Sequence, residues 1–88
     1  MNEEKFREIM KEDPVDLNLE GDENLMGFNL LAKYFPKGQV IEGAGHDVIY
    51  SKEVDKIVKA GITEEDAIML RNLGFILSED GDYLETYA

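Results

Sequence analysis

The segment Gly43-Ala44-Gly45-His46-Asp47 is the part of this chain whose residue types could do chemistry. Glycines let a ligand approach the backbone closely, and an aspartate beside a histidine can orient the imidazole or help to bind an ion. A tyrosine follows three residues later, with a polar tip suited to a contact surface. Gly43, Gly45, His46, Asp47 and Tyr50 are therefore a candidate ligand or contact loop. The alternative is a glycine-rich β turn with a solvent-facing histidine.

Two clusters of carboxylates form a second candidate site. They are Glu64, Glu65 and Asp66, and then Glu79, Asp80 and Asp82. Acidic residues are stabilised in the first turn of a helix and are favoured in turns, so both clusters also have an ordinary structural explanation. The functional interpretation is an acidic interaction surface. A glycosidase-type use of paired carboxylates needs a cleft, for which 88 residues leave little room.

The remaining composition argues against catalysis and metal binding. One histidine and no cysteine remove most routes to nucleophilic catalysis and most transition-metal sites. His46 and Asp47 are adjacent, so on a strand they would point to opposite faces and form no dyad. Residues 16–20 match the first half of an EF-hand loop, but its twelfth position falls on Gly27, which has no side chain. We predict a protein that is not an enzyme and has no metal or cofactor.

The net charge of −11 is concentrated at the two ends of the chain. Residues 1–24 carry a net charge of −6, residues 25–62 of +1, and residues 63–88 of −6. A surface of this sign repels nucleic acid and anionic lipid and attracts basic partners. The N-terminus is acidic and is followed by no apolar segment of a signal peptide, and no stretch approaches the length of a membrane span. These features favour a cytoplasmic protein that binds a basic protein surface.

The elements that would position these residues begin with two helices and a strand. Apolar spacing predicts a helix over residues 3–12, and we expect residues 1–14 to form a loosely attached N-terminal unit. Residues 15–20 alternate apolar and polar side chains, which is typical of a half-buried strand. As an exposed edge, this strand would allow self-association with a second copy. The next predicted helix carries Leu25, Phe28, Leu31 and Phe35 on one face and ends at Pro36.

The second half predicts short strands around two further helices. Residues 39–42 and 47–50 favour β structure, and Ser51 is the expected N-cap of a helix over residues 52–60. Thr63 and Asp66 indicate a capped helix that ends before Gly74. The final segment predicts a hairpin with a type I′ turn at Asp80-Gly81. Together these elements predict one α+β domain over residues 1–88, with about three short helices packed on one face of a small antiparallel sheet.

Aromatic spacing leaves the tyrosines with two interpretations. Most aromatic side chains fall at positions typical of the core or its edge. Tyr50, Tyr83 and Tyr87 could instead present their polar tips at a contact surface.

Three motifs and a closing hairpin with aromatic residues occur in the second half of the chain. The motifs are Gly45-His46-Asp47-Val48-Ile49-Tyr50, Ile62-Thr63-Glu64-Glu65-Asp66 and Leu73-Gly74-Phe75. In these features, residues 45–87 resemble a group of small proteins carried by phages and other mobile elements. That group has no activity that transfers to particular residues of this chain. The resemblance implies a phage-type accessory protein that acts by binding a host protein.

These observations favour a small acidic protein-binding module. Its partner would be a protein with a basic surface, and its carboxylates could mimic nucleic acid in a phosphate-binding groove. The alternative is a small-ligand or ion-binding domain that uses the Gly43–Asp47 loop.

Overall fold

The computed structural model describes residues 1–87, which form four helices and four strands. In chain order these are α1 (Glu3–Lys11), α2 (Glu23–Ala32), β1 (Gly43–Gly45), β2 (Val48–Glu53), α3 (Val54–Lys59), α4 (Glu64–Asn72), β3 (Ile76–Leu77) and β4 (Tyr83–Tyr87). The strands form one sheet in the order β1-β2-β4-β3, and every neighbouring pair is antiparallel. The predicted α+β class is confirmed.

All four helices bury apolar side chains in one core against the sheet. The core includes Phe6 of α1, Leu31 of α2, Ile57 of α3, Leu70 of α4 and Leu84 of β4. Near its centre the rings of Phe28 and Phe75 meet edge to face, with centroids 5.1 Å apart and planes at 75°. This is a favourable geometry for aromatic pairs. The strand β4 therefore has one face covered by helices.

Local sequence signals explain where three of the helices begin and how α4 ends. The side chains of Asn2, Asp22 and Thr63 accept hydrogen bonds from backbone N–H groups at the starts of α1, α2 and α4. After α4, Gly74 has a φ of 95°, and Phe75 N donates to Leu70 O at 3.0 Å. This is the Schellman ending that glycine at this position favours. The expected start and end of α4 are confirmed.

The N-terminal helix is docked, which differs from the loose attachment expected for residues 1–14. Phe6, Ile9 and Met10 are buried, and α1 packs against α3, α4 and β3. Arg7 also donates from Nη1 to the carbonyl of Gly81 at 2.6 Å. The apolar spacing that predicted the helix is therefore used for packing against the core.

The strand predicted over residues 15–20 is wrong. The segment is irregular, and two of its backbone donors bond to side chains and not to a neighbouring strand. Asp16 Oδ1 accepts from Asn18 N at 2.9 Å, Val15 N donates to Asn72 Oδ1 at 2.9 Å, and Asn18 has a φ of 51°. Short polar side chains compete in this way with sheet pairing. The edge that suggested self-association is therefore absent from residues 15–20.

The boundaries around β1 and β2 also differ from the prediction. The strand β1 is the glycine segment itself, and His46 and Asp47 form the two-residue turn to β2. Ser51 lies within β2 and donates from Oγ to the carbonyl of Val40 at 2.6 Å, so it does not cap α3. That helix begins only at Val54, after an irregularity in the β2–β4 pairing between Tyr50 and Glu53.

Two further expectations are corrected at α2 and at the closing hairpin. The helix α2 ends at Ala32, and Leu25 is exposed on its surface. The hairpin has a four-residue connection over residues 79–82, because Ser78 N donates to Tyr83 O at 2.8 Å. Within it only Gly81 has a positive φ, of 81°, whereas a type I′ turn requires two such residues.

Candidate functional site

The side chains of β4 alternate between the helix-covered face of the sheet and an open face. Leu84 and Thr86 are buried toward the helices, and Thr86 Oγ1 donates to Asn24 Oδ1 of α2 at 2.9 Å. Tyr83, Glu85 and Tyr87 point to the other side, since successive side chains of a strand alternate. These three residues line a groove on the open face, which is where the candidate site lies.

Cross-strand pairing brings residues of β1, β2 and β4 together in a groove on this face. Tyr50 lies opposite Glu85, and Val48 lies opposite Tyr87. On the other side of β2, Gly43 pairs with Tyr50, so β1 places no side chain beside that ring. A Cβ atom built at Gly43 would meet no atom within 4 Å. The result is an open groove of about 900 Å³.

The groove is lined by tyrosines and carboxylates. Its aromatic residues are Tyr50, Tyr83 and Tyr87, its acidic residues are Glu42, Glu79, Asp80 and Glu85, and Gly43, Val48 and Ser78 complete the lining. Among these ten residues there is no lysine, arginine or histidine. The groove therefore combines aromatic surface with an excess of negative charge.

Two of the four carboxylates already have partners within the protein. Glu42 pairs with Lys52 Nζ at 2.6 Å, and this hydrogen bond lowers the pKa of Glu42. Asp80 Oδ1 accepts from Asp82 N at 3.0 Å and from Ser78 Oγ at 2.7 Å, and these bonds lower the pKa of Asp80. Both groups are accordingly ionised at neutral pH and held in position.

Glu85 is different, because most of the residue is buried while its carboxylate oxygens, which remain accessible from the groove, have no partner within residues 1–87. The residue is only 8% exposed, and within residues 1–87 its carboxylate makes no hydrogen bond or ion pair. Burial raises the pKa of Glu85, and the nearby charges of Asp80 and Glu79 raise it further. Desolvation and like charge both disfavour the ionised form. These surroundings disfavour a negative charge at Glu85, and a cation placed there would relieve that effect.

The structure brings together four residues that the sequence singled out separately. Gly43 and Tyr50 from the predicted loop line the groove with Glu79 and Asp80 from the second acidic cluster. The other members of the loop, Gly45, His46 and Asp47, lie outside its lining, and the last two form the exposed turn. Asp82 lines a smaller neighbouring groove of about 440 Å³ that shares Tyr83 with the larger one.

The first acidic cluster lies away from the groove at the start of α4. Glu64 is 3.7 Å from Lys5 Nζ, and Asp66 accepts a hydrogen bond from the hydroxyl of Tyr34. Asp66 N is also the donor to the Thr63 cap, at 3.1 Å. Glu65 is exposed. The predicted acidic surface is therefore divided between two parts of the molecule, and Asp66 has a structural role in joining α2 to α4.

Glu85 is not among the residues that the sequence patterns singled out. A signal for it was present in Tyr83-Leu84-Glu85-Thr86-Tyr87, where period-two alternation places an acid between two tyrosines on one face. For the tyrosines, the sequence left two interpretations, a position in the core or at its edge and a position at a contact surface. Tyr50 is 39% and Tyr87 58% exposed, which fits the contact-surface interpretation of these two rings.

The groove's chemistry is suited to holding a positively charged group. Tyrosine faces attract cations through the ring quadrupole, and carboxylates add charge and hydrogen-bond acceptors. Within residues 1–87, no group of three or more histidine, aspartate or glutamate side chains is arranged to hold a metal ion.

Comparison of the chain with models of protein families, with curated proteins and with solved structures finds no match. In the described part of the chain, no helix combines the length and the apolar character needed to cross a membrane. The geometry of the open sheet face is therefore the basis for a functional proposal.

Proposed function

We propose that this protein is a non-enzymatic binding module that engages a basic partner protein through the open face of its sheet. The observation that carries the proposal is the groove lined by three tyrosines and four carboxylates without a basic residue. Tyrosine is enriched at protein interfaces, because it offers a large apolar surface with a polar tip. The charge of the groove is complementary to lysine and arginine side chains.

The distribution of charge over the whole molecule supports the same partner. The two acidic ends of the chain come together, because α1 packs against α4 and β3. A net charge of −11 on a body of this size steers basic molecules toward it and raises the rate of association. If the protein is of the phage type that its sequence resembles, the partner would be a host protein. If that host protein binds nucleic acid, the acidic surface would act as a mimic of nucleic-acid phosphates.

The alternative of a ligand at the Gly43–Asp47 loop has less support. His46 and Asp47 are exposed turn residues, and a Cβ at Gly43 or Gly45 would meet no atom within 4 Å. The two glycines are thus not needed for a close approach within the protein. If a ligand raises the Tm of the parent but not that of a His46→Ala, Asp47→Ala variant, the result would support this alternative.

The test is capture of partners from a cell lysate by the purified protein and two double variants. Tyr50→Ala with Tyr87→Ala removes exposed aromatic surface from the groove. Ile68→Ala with Met69→Ala removes similarly exposed side chains from α4 and serves as the control, since the four residues are between 38% and 58% exposed. We expect one basic protein to bind the parent and the control but not the groove variant.

Washing the captured complex at increasing salt separates two forms of the proposal. A mimic of nucleic acid is held largely by charge, so its complex should dissociate steeply with salt. A complex that resists about 0.5 M salt would instead depend on the tyrosines, because Debye screening leaves apolar contacts intact. Equal capture by the groove variant and the control would contradict the groove as the binding site.

A further inference from the structure

Glu85 is exceptional among the buried polar side chains of residues 1–87. Ser51 donates to the carbonyl of Val40, Arg71 Nη1 pairs with Glu12 at 2.8 Å, and Thr86 donates to Asn24. Glu85 is more than nine-tenths buried and has no such partner. Its carboxylate oxygens reach the groove, because residues 1–87 contain no buried side-chain oxygen or nitrogen atom that lacks a hydrogen-bond partner. An unpaired carboxylate in a groove is therefore a feature that a ligand can satisfy.

The surroundings of Glu85 define the shape and charge of that ligand. Tyr50 lies directly opposite Glu85 on β2, and Tyr87 lies two residues further along the same face of β4. On the other side, Ile76 of β3 is paired with Glu85 and closes the row with an apolar side chain. A ligand seated in the groove would therefore meet the carboxylate beside two aromatic side chains.

Arginine fits this combination better than lysine. Its guanidinium group is planar, stacks on aromatic faces and can pair with a carboxylate through two parallel hydrogen bonds. It is also more weakly hydrated than the lysine ammonium group, so less solvation is lost when it enters a partly buried site. A groove of about 900 Å³ that is open on the β1 side gives such a side chain room to enter.

We propose that Glu85 is a recognition position for an arginine side chain of the partner protein, with Tyr50 and Tyr87 packing on the guanidinium group. This inference rests on the proposed function, because it names the chemical group that the groove recognises. It assigns different roles to the acids of the groove. Glu42 and Asp80 are bonded within the protein, whereas Glu85 bonds to the partner.

The first test is a titration of the isotope-labelled protein with N-acetyl-arginine amide, followed by NMR. N-acetyl-lysine amide tests the preference for a guanidinium group, and N-acetyl-citrulline amide is a neutral analogue of nearly the same shape. We expect saturable shifts at Tyr50, Glu85 and Tyr87 with the arginine compound, weaker shifts with lysine and none with citrulline. Equal shifts with citrulline would overturn the inference, because recognition would not depend on charge.

Two matched variants assign the effect to Glu85. Glu85→Gln keeps the size of the side chain and removes its charge, and Glu65→Gln removes the same charge from an exposed site on α4. Loss of a charge-assisted hydrogen bond predicts at least about tenfold weaker binding of the arginine compound to Glu85→Gln. The Glu65→Gln variant should bind like the parent. If Glu85→Gln also binds like the parent, the role of Glu85 is overturned.

A substitution at Gly43 provides a second measurement that needs no added ligand. Gly43 and Glu85 lie on either side of β2, so their Cα atoms are about 10 Å apart, which an arginine and a glutamate side chain can span together. In Gly43→Arg, the new side chain should occupy the groove, so the Tm of this variant should exceed that of Gly43→Gln. N-acetyl-arginine amide should then cause no chemical-shift changes at the groove. Adding Glu85→Gln should remove the gain in Tm. A gain that persists without Glu85 would contradict the proposed pairing.

The experiments distinguish failure of the arginine assignment from failure of the groove as the protein-binding site. If arginine amide produces no shifts at the groove while the groove variant still loses its captured partner, the binding module stands and the arginine assignment is wrong. If the groove variant captures the partner as well as the parent does, the groove itself is wrong as the protein-binding site.

Discussion

The two faces of strand β4 differ in how completely their side chains are partnered. Toward the helices, Leu84 is fully buried, and Thr86 is buried and bonded to Asn24. Toward the open side, Tyr87 is exposed, and the carboxylate of Glu85 has no partner within residues 1–87. On one five-residue strand, the polar side chain of the covered face is hydrogen-bonded, whereas the carboxylate of the open face has no partner within residues 1–87. The covered face is organised for stability, and the open face has the features of a surface that binds.

The same contrast holds for the glycines of the two regions. Gly27 lies in α2 under the Phe75 ring, where a Cβ atom would overlap that ring. Gly43 lies at the edge of the open face, where a Cβ atom would meet nothing. Glycine thus permits close packing on one face and leaves space on the other. Substitutions on the two faces should therefore have different and even opposite effects.

The largest expected difference is between Phe75→Ala and Ile76→Ala. Phe75 is fully buried beside Phe28, whereas its neighbour Ile76 lies on the open face and is exposed. Removing a buried phenylalanine costs about 3–5 kcal/mol, and removing an exposed side chain changes stability by about 0.5 kcal/mol or less. Chemical denaturation of both variants measures the difference. Similar losses for the two would show that the open face is covered in solution.

The second prediction concerns Gly27→Ala and Gly43→Ala. Helix propensity alone predicts that alanine at Gly27 stabilises α2 by about 1 kcal/mol. Overlap with the Phe75 ring reverses the sign, and we expect a loss of about 1–3 kcal/mol. Gly43→Ala meets no atom and restricts the unfolded chain, so it should stabilise the protein by about 0.4–1 kcal/mol. Urea unfolding checks both signs, and a stabilised Gly27→Ala would mean that the Phe75 ring is free to move.

The covered face was largely predictable from the sequence, whereas the open face was not. Helices show a strong period and local caps, so α1 and α4 were placed almost to the residue. The alternation over residues 15–20 was equally regular, but strand formation also needs a neighbour with free backbone groups. At that point Asn72 and Asp16 provide the hydrogen bonds instead. Pattern alone does not tell a strand from an irregular segment of this kind.

The candidate site required the sheet order, which no local pattern contains. Tyr50 and Glu85 are separated by two helices and a strand in the sequence, and they become neighbours only because β4 inserts between β2 and β3. Residue type could nominate Tyr50, Glu79 and Asp80. The burial of Glu85 depends on which strands flank it.

The third prediction compares hydroxyl groups on the two faces. Thr86→Val keeps the shape of the side chain but removes the hydrogen bond to Asn24, so we expect a loss of about 1 kcal/mol. Tyr87→Phe removes an exposed hydroxyl that makes no hydrogen bond within residues 1–87, so its effect should be within about 0.5 kcal/mol. Thermal unfolding of the two variants at one pH measures both effects. An equal loss for Tyr87→Phe would place an unseen partner on the open face.

The smallest effect is expected for Glu85→Gln, and its dependence on pH is the informative quantity. Burial raises the pKa of Glu85 in the folded protein, so between the ordinary glutamate pKa, of about 4.3, and the raised value, the folded state binds more protons than the unfolded state. Stability of the parent therefore falls as pH rises through this window, and the loss persists above it. Glutamine does not titrate. The Tm of Glu85→Gln minus the Tm of the parent should therefore increase from about pH 4 to pH 7.

The charges of Glu79 and Asp80 contribute to the same shift, and Glu65→Gln controls for the change in net charge. Because Glu65 is exposed, any gain in that variant reflects general repulsion in a chain of charge −11 and not desolvation. The comparison is between the two Tm differences over the pH range. If Glu85→Gln and Glu65→Gln follow the same curve, the carboxylate of Glu85 is hydrated in solution. A gain specific to Glu85→Gln would mean that the free protein retains an unfavourable carboxylate, which a cationic partner can stabilise.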